Sequence, residues 1–223
     1  MRPMHWNRCP AVLAPIPGQI SSVNRIDVDA PGRAEAEAFV AGIYRERHGA
    51  RLRTFMPQLL AYHDRDGALV AVLGLRMAGE GRLFVEQYLD EPVETALALR
   101  GLAPPRRQAI AEVGNFAARS PGAAREMIVH ATWMLDAMRI AWVLFTATRQ
   151  LRNAFDRLHL APVDLAEARR ECLHDDGSDW GDYYATQPRV MCGNVAAGRA
   201  FLQRGFAPGP ATLPELRCLA GAP

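Results

Sequence analysis

Apolar positions along the chain alternate between two periods. Ala36, Phe39, Val40, Ile43 and Tyr44 recur at helical spacing, which predicts a helix over Ala34–Arg47, with Gly49 placed to end it. Leu59–His63 and Ala68–Met77 read as strands, and Asp64-Arg65-Asp66-Gly67 between them is a hairpin turn signal. Asn24–Val28 reads as a short strand at the end of a Pro-rich arm over 1–30, and Arg82–Leu89 as a further strand. Asp90-Glu91-Pro92 opens a helix that ends near Gly101, with acids and proline where a helix N-terminus favours them.

The second half reads as strand Ala109–Ala117, helix Gly122–Met138, apolar strand Ala141–Ala147 and amphipathic helix Gln150–Leu160. The pattern then dissolves into an irregular, polar and aromatic loop over 162–188. A short strand Arg189–Cys192 and a helix Val195–Gln203 follow, in a segment 189–223 that reads as appended. Hairpin strands first and a strand–helix–strand crossover later imply an α/β (α+β) fold. Its central sheet is expected to be mixed and largely antiparallel, with helices on both faces of one domain spanning 1–223.

Composition narrows the chemistry. The chain has 223 residues, a hydrophobic fraction of 49% and net charge +2, enough apolar material for one sizeable core and too little charge to imply a polyanionic partner. Every basic residue other than histidine is arginine, so lysine nucleophiles and Schiff bases are excluded. Cys9, Cys172, Cys192 and Cys218 form no CxxC or CxxH pair, and no HxxxH spacing occurs, so no metal site is expected. Met1–Pro17 lacks the continuous apolar core of a signal peptide, and no stretch approaches the roughly 20 apolar residues of a membrane-spanning helix. A cytoplasmic setting with free thiols is the expectation. A basic stripe or docking motif for nucleic acid is also missing. The composition is silent on oligomeric state.

The most informative segment runs from Glu112 to Ala124. Strand alternation would set Ile110, Glu112, Gly114 and Phe116 on one face. A carboxylate there is costly unless paired or wet, and burial would raise its pKa toward that of a general base. Glu112 is therefore either a base or the partner of an arginine. Along Arg82–Leu89, Glu86 and Tyr88 would share a face, either as an acid/base pair or as a solvated edge. Arg119-Ser120-Pro121-Gly122-Ala123-Ala124 follows the pattern R-x-x-G-x-A, small residues opening a helix whose N-terminus suits a phosphate. Arg45, Arg47, Arg51 and Arg53 cluster at a helix end, and Arg149 and Arg152 sit at a helix start, where cations oppose the dipole.

That strand, R-x-x-G-x-A loop, helix, apolar strand and helix resemble the pyrophosphate-binding unit of the GNAT acyltransferase superfamily. Five blocks also resemble the thermostable haemolysin family, whose fold is acyltransferase-like: Tyr44-Arg-Glu-Arg47 with Phe55-Met-Pro57, Glu86 to Pro92, Glu112-Val-Gly-Asn115, Phe145-Thr-Ala-Thr-Arg149, and Trp180-Gly-Asp-Tyr-Tyr184. A partial resemblance to acyl-homoserine-lactone synthases rests on Arg47, Phe55, Glu112 and Phe116, with Asn115 where those enzymes carry arginine. The later stretch Asn194 to Phe206 also imitates the last acyltransferase motif; the helix at Gln150–Leu160 is expected to be the core element instead.

These resemblances imply an N-acyltransferase with a GNAT-like fold. The donor would be an acyl-CoA or an acyl-phosphopantetheine thioester on acyl carrier protein, and the acceptor a small-molecule amine. Phosphopantetheine would lie along Val113, Gly114, Asn115 and Phe116, with phosphate near Arg119, Ser120, Gly122, Ala123 and Ala124. A backbone N–H near Gly114–Phe116 would polarise the thioester, and Glu112 or Glu86 would take the amine proton, with Tyr88 as acid or donor. Arg47, Phe55, Thr146 and Arg149 would contact substrate. A membrane-active haemolysin and a non-catalytic acyl- or CoA-binding protein are the alternatives.

Overall fold

A computed structural model describes residues 18–205, apart from 104 and 175–177. The arm before residue 18, the tail after 205, Cys9 and Cys218 lie outside the described residues. The elements are β1 (Ser22–Ile26), α1 (Arg33–His48), β2 (Gln58–His63), β3 (Leu69–Met77), α2 (Val93–Leu99), β4 (Ile110–Ala118), α3 (Pro121–Ala137), β5 (Trp142–Ala147), α4 (Arg149–Arg157), β6 (Val163–Glu167), β7 (Arg189–Asn194) and α5 (Val195–Gly205).

Local chemistry explains most boundaries. Gly49, at φ 65°, donates its N–H to the Arg45 carbonyl at 2.9 Å and closes α1. The β2–β3 turn is tied by Asp64, whose Oδ1 accepts from the N–H groups of Asp66 and Ala68 at 3.0 and 2.9 Å. Ser120 caps α3 by accepting from Ala123 N–H at 3.1 Å, with Pro121 in the first turn, where a missing N–H costs nothing.

One seven-stranded sheet runs in the order β1-β2-β3-β4-β5-β7-β6. Every pairing is antiparallel except β4 with β5, which α3 connects as a crossover. On one face α1 buries Ala36 and Val40 against Leu59, Val72 and Ala117. On the other, α3 buries Ala123 and Met127 against Leu60, Leu73 and Ala118. The mixed, largely antiparallel sheet with helices on both faces is therefore what the chain forms.

Three elements differ from the sequence reading. Arg82–Leu89 is no strand: Phe84–Tyr88 is a 3₁₀ turn, because its backbone N–H groups are taken by buried carboxylates and not by a neighbouring strand. The stretch 162–188 contains an edge strand, β6, paired antiparallel with β7. The segment from 189 is not appended over its described part, since β7 lies between β5 and β6 and α5 buries Val195 and Leu202. Leu202 packs with Ile128 and Val129 of α3, whereas α4 buries no residue fully. The later helix is the core element and the earlier one is peripheral.

Candidate active site

Two irregularities open the middle of the sheet. First, β4 and β5 pair only from Ile110 with Trp142 to Val113 with Phe145, although both strands continue. Second, β4 carries a bulge: Val72 pairs with Ala117 but Gly74 with Gly114, so β4 holds an extra residue. Asn115 takes φ 47°, a left-handed conformation that Asn tolerates better than most, and its Oδ1 accepts the Met56 N–H at 2.7 Å. Gly74 and Gly114 let the Met56 segment lie on the sheet. A Cβ on Gly114 would stand 2.5 Å from Met56 Cε, and one on Gly74 2.7 Å from Met56 Cβ. The bulge also breaks the alternation expected from sequence. Glu112 stays on the α1 face, but Phe116 turns to pack with α3.

A cavity of about 150 Å³ occupies the parting. Its walls come from both faces of the sheet: Phe55, Phe84, Tyr88 and Trp180 on the α1 side, and Ile128, Ala131 and Leu135 of α3 on the other. It therefore threads the sheet between β4 and β5. A second cavity of about 280 Å³ lies toward the open end of the parting, between the C-terminal end of α1, the start of α3 and α4. Tyr44, Phe116, Thr146, Leu151 and Tyr183 line both, so the two adjoin. The second is lined by Arg47, Arg125 and Arg157, with Ser120 and Thr148, and by no carboxylate among the described residues. Such a surface suits phosphate.

Glu112 is almost wholly buried, at 1% exposure, and lines the first cavity. Its Oε2 accepts from Phe84 N–H at 2.6 Å and its Oε1 from Val85 N–H at 3.0 Å. Burial pushes its carboxyl up to about 7, against the opposing pull of those N–H groups and of Arg76. Glu86 is differently committed. Its carboxylate forms a two-point ion pair with Arg107 at 2.9 and 2.8 Å and accepts from Leu83 and Val93 N–H at 2.8 and 3.2 Å. Although burial raises its pKa, the Arg107 bonds and backbone donors outweigh that and hold it below the usual range. Glu86 contributes nothing to the walls of either cavity. Tyr88 does, and its hydroxyl pairs with that of Tyr184 at 2.6 Å, with its pKa raised by burial first.

Tyr44 stands where the cavities meet. Burial pushes its pKa up to about 12, against the opposing pull of the Phe116 backbone at the bulge. The ring stacks on Tyr183 at 6.1 Å, and Trp180 lies edge-on to Tyr44 at 6.5 Å.

With this geometry in hand, the comparisons with known proteins become informative. The family model described as Thermostable hemolysin matches residues 26–199. The chain belongs to the thermostable hemolysin family. No curated protein matches it by sequence. The fold of this hemolysin-family chain is shared with solved structures of low identity. FeeM, titled an N-acyl amino acid synthase from uncultured soil microbes, is 17% identical with a TM-score of 0.54, over 83% of this chain and 99% of FeeM. BjaI, titled a CoA-dependent acyl-homoserine lactone synthase with SAM and isopentyl-CoA, is 12% identical with a TM-score of 0.54, over 90% and 96%. TofI, in a ternary complex with an inhibitor and MTA, is 16% identical with a TM-score of 0.52, over 82% and 97%.

Across the hemolysin-family site, the structure gathers Glu112, Val113, Gly114, Asn115, Phe116, Phe55, Tyr88 and Thr146 around the first cavity. Ser120, Ala124, Arg47 and again Thr146 face the second, and the Arg47 guanidinium donates to the Ala118 carbonyl. Gly122 and Ala123 belong to the first turn of α3 without lining it; Ala123 is buried against the sheet. Arg119 lies over the Phe39 ring at 5.5 Å, and Arg149 is exposed at the start of α4; neither lines a cavity. Tyr44, Arg76, Arg125, Arg157 and Trp180 were not singled out as site residues. Tyr44 and Trp180 begin two of the family-like blocks, which was the available signal; Arg76 and Arg157 offered none. Cys192 is buried in β7 with its thiol pushed up to about 12, which does not suit a nucleophile.

Proposed function

We propose that this chain transfers an acyl group from a phosphopantetheine thioester to an amine. The observation that carries the reading is the bulged parting of β4 from β5, apolar on the α3 side, carboxylate-bearing on the α1 side and cationic at its open end. The thioester lies at the bulge, its acyl tail passes beneath α3, and its phosphate faces Arg47, Arg125, Arg157 and Ser120. Glu112, with a carboxyl near 7, takes the proton that the amine sheds as it attacks. The Tyr44 hydroxyl, buried beside the Phe116 backbone where the cavities meet, is the donor offered to the charge developing on the carbonyl oxygen. The titles of FeeM and BjaI, an N-acyl amino acid synthase and a CoA-dependent synthase, support acyl transfer on this fold. Acyl-CoA and acyl carrier protein both present the required arm, and a cytoplasmic setting supplies both.

A lytic role would draw on an exposed apolar face. Among the described residues the exposed large apolar side chains are Val28, Leu99 and Phe201, on separate elements, and no helix is long and apolar enough to cross a membrane.

Calorimetry with decanoyl-CoA and with decanoyl carrier protein, paired with thiol release in the presence of benzylamine, tests the proposal. At least one donor should bind, and Arg157→Glu should weaken it. Failure of both donors to bind or to release thiol would refute the reading.

A further inference from the structure

The acceptor end of the first cavity carries a charge that the acyl-transfer chemistry does not use. Arg76 lies on β3 directly opposite Glu112 on β4, so both side chains leave the sheet on the α1 face. Arg76 is half-buried and lines the cavity. Its hydrogen bond within the chain is a long one, Nη1 to the Arg82 carbonyl at 3.4 Å. Among the described residues it enters no ion pair, and Glu112, whose oxygens are turned to the Phe84 and Val85 N–H groups, does not close on it. Arg107, 31 positions later, shows the contrast: its guanidinium is filled by Glu86, Glu94 and two backbone carbonyls. A half-buried guanidinium with its planar fork open is a carboxylate receptor. Around the same end, Phe84 meets Trp180 at 6.0 Å and Tyr88 at 5.9 Å, and Trp180 meets Tyr183 at 5.3 Å. An anion receptor, a proton acceptor and an aromatic wall thus surround one small space.

We propose that the acceptor is an α-amino acid with an apolar side chain, its carboxylate bound by Arg76, its amine presented to Glu112 and its side chain seated against Phe84, Tyr88 and Trp180. The use made of the site rests on the acyl-transfer reading; the binding itself does not. In the transfer, the amine nitrogen bonds to the thioester carbon as the carbon–sulfur bond breaks. The proton lost by nitrogen passes to Glu112, which returns it to the departing thiolate directly or through water, so the products are an N-acyl amino acid and a free thiol. A primary amine without the carboxylate would cover Arg76 and leave it unpaired, which is a stronger basis for rejection than any loss of apolar contact.

Two measurements on the full-length protein test this. Calorimetry compares phenylalanine with phenethylamine, its decarboxylated counterpart, in the absence of any donor. Thiol release from decanoyl-CoA compares the same two acceptors. Phenylalanine should bind more tightly and react with higher kcat/KM than phenethylamine, by about tenfold or more, and within the Arg76→Gln variant the two acceptors should bind and react alike. Equal binding and equal kcat/KM for the two compounds, or a preference that survives Arg76→Gln, would overturn the proposal and leave acyl transfer standing. Arg76-dependent phenylalanine binding without thiol release from any donor would support the amino-acid site and sink the acyl-transfer reading.

Discussion

Glu112→Gln separates chemistry from architecture at one atom. The substitution keeps the shape but replaces one oxygen with an amide that only donates. Both native oxygens accept backbone N–H groups, at 2.6 Å from Phe84 and 3.0 Å from Val85. One buried N–H must therefore face another donor, at a cost of about 1–3 kcal/mol. For a chain of this size the melting temperature should fall by roughly 2–4 °C for each kcal/mol. Loss of a general base lowers turnover by about 10²–10⁴-fold, with donor affinity little changed. The pH dependence separates the two further. The carboxyl of Glu112 is held near 7, so wild-type kcat/KM should climb to a plateau above about pH 7, and the variant should lose that limb. Stability runs the other way. The folded protein keeps this proton from 4.5 up to about 7 while the unfolded chain releases it, so about 3 kcal/mol of stability is lost as pH rises through that window. The variant lacks this loss. The assays are thermal unfolding across pH and thiol release at saturating donor. A variant that melts earlier yet keeps wild-type turnover and pH profile would show that Glu112 only ties the 3₁₀ turn to the sheet, and the base assignment would be refuted.

Glu86→Gln breaks the ion pair with Arg107 and should cost about 2–3 kcal/mol, less than a fully buried pair because Arg107 reaches solvent, with turnover of the folded fraction unchanged in thiol release. His130 is buried on α3 with both ring nitrogens lacking a hydrogen-bond partner among the described residues, and burial pushes its pKa down to about 4. The unfolded imidazole takes up its proton near 6.5, so about 3 kcal/mol of stability should be lost as pH falls from 6.5 to about 4; a His130→Leu protein whose unfolding shows the same acid loss would refute this. Ala131 lines the α3 side of the first cavity, so Ala131→Phe should shift donor preference from decanoyl-CoA to acetyl-CoA in competition assays, and an unchanged preference would place the acyl tail elsewhere. The purified protein is expected to leave dye-loaded lipid vesicles intact at micromolar concentration, and donor-independent release would restore the lytic reading.

How much of this was legible from the residues follows from how local each cause is. The helix closed by Gly49, the hairpin held by Asp64 and the crossover through α3 depend on local pattern, and each was read in the chain. The family-like blocks also marked the Glu112–Phe116 stretch before any coordinates. Misread elements depended on distant partners. Phe84–Tyr88 has the alternation of a strand, but Glu112, 28 positions later, captures its first N–H groups and curls it into a turn. β6 has little apolar pattern of its own and exists because β7 offers it an edge. The bulge that turns Phe116 to the α3 face is set by the register of β3 against β4 and by Met56 bonding to Asn115. Arg76 looked like any other arginine until that register placed it across from Glu112. Periodicity reports which side of a segment avoids water; which groups meet across the sheet, and which charge is left open, is decided only when non-neighbouring strands pair and exclude water between them.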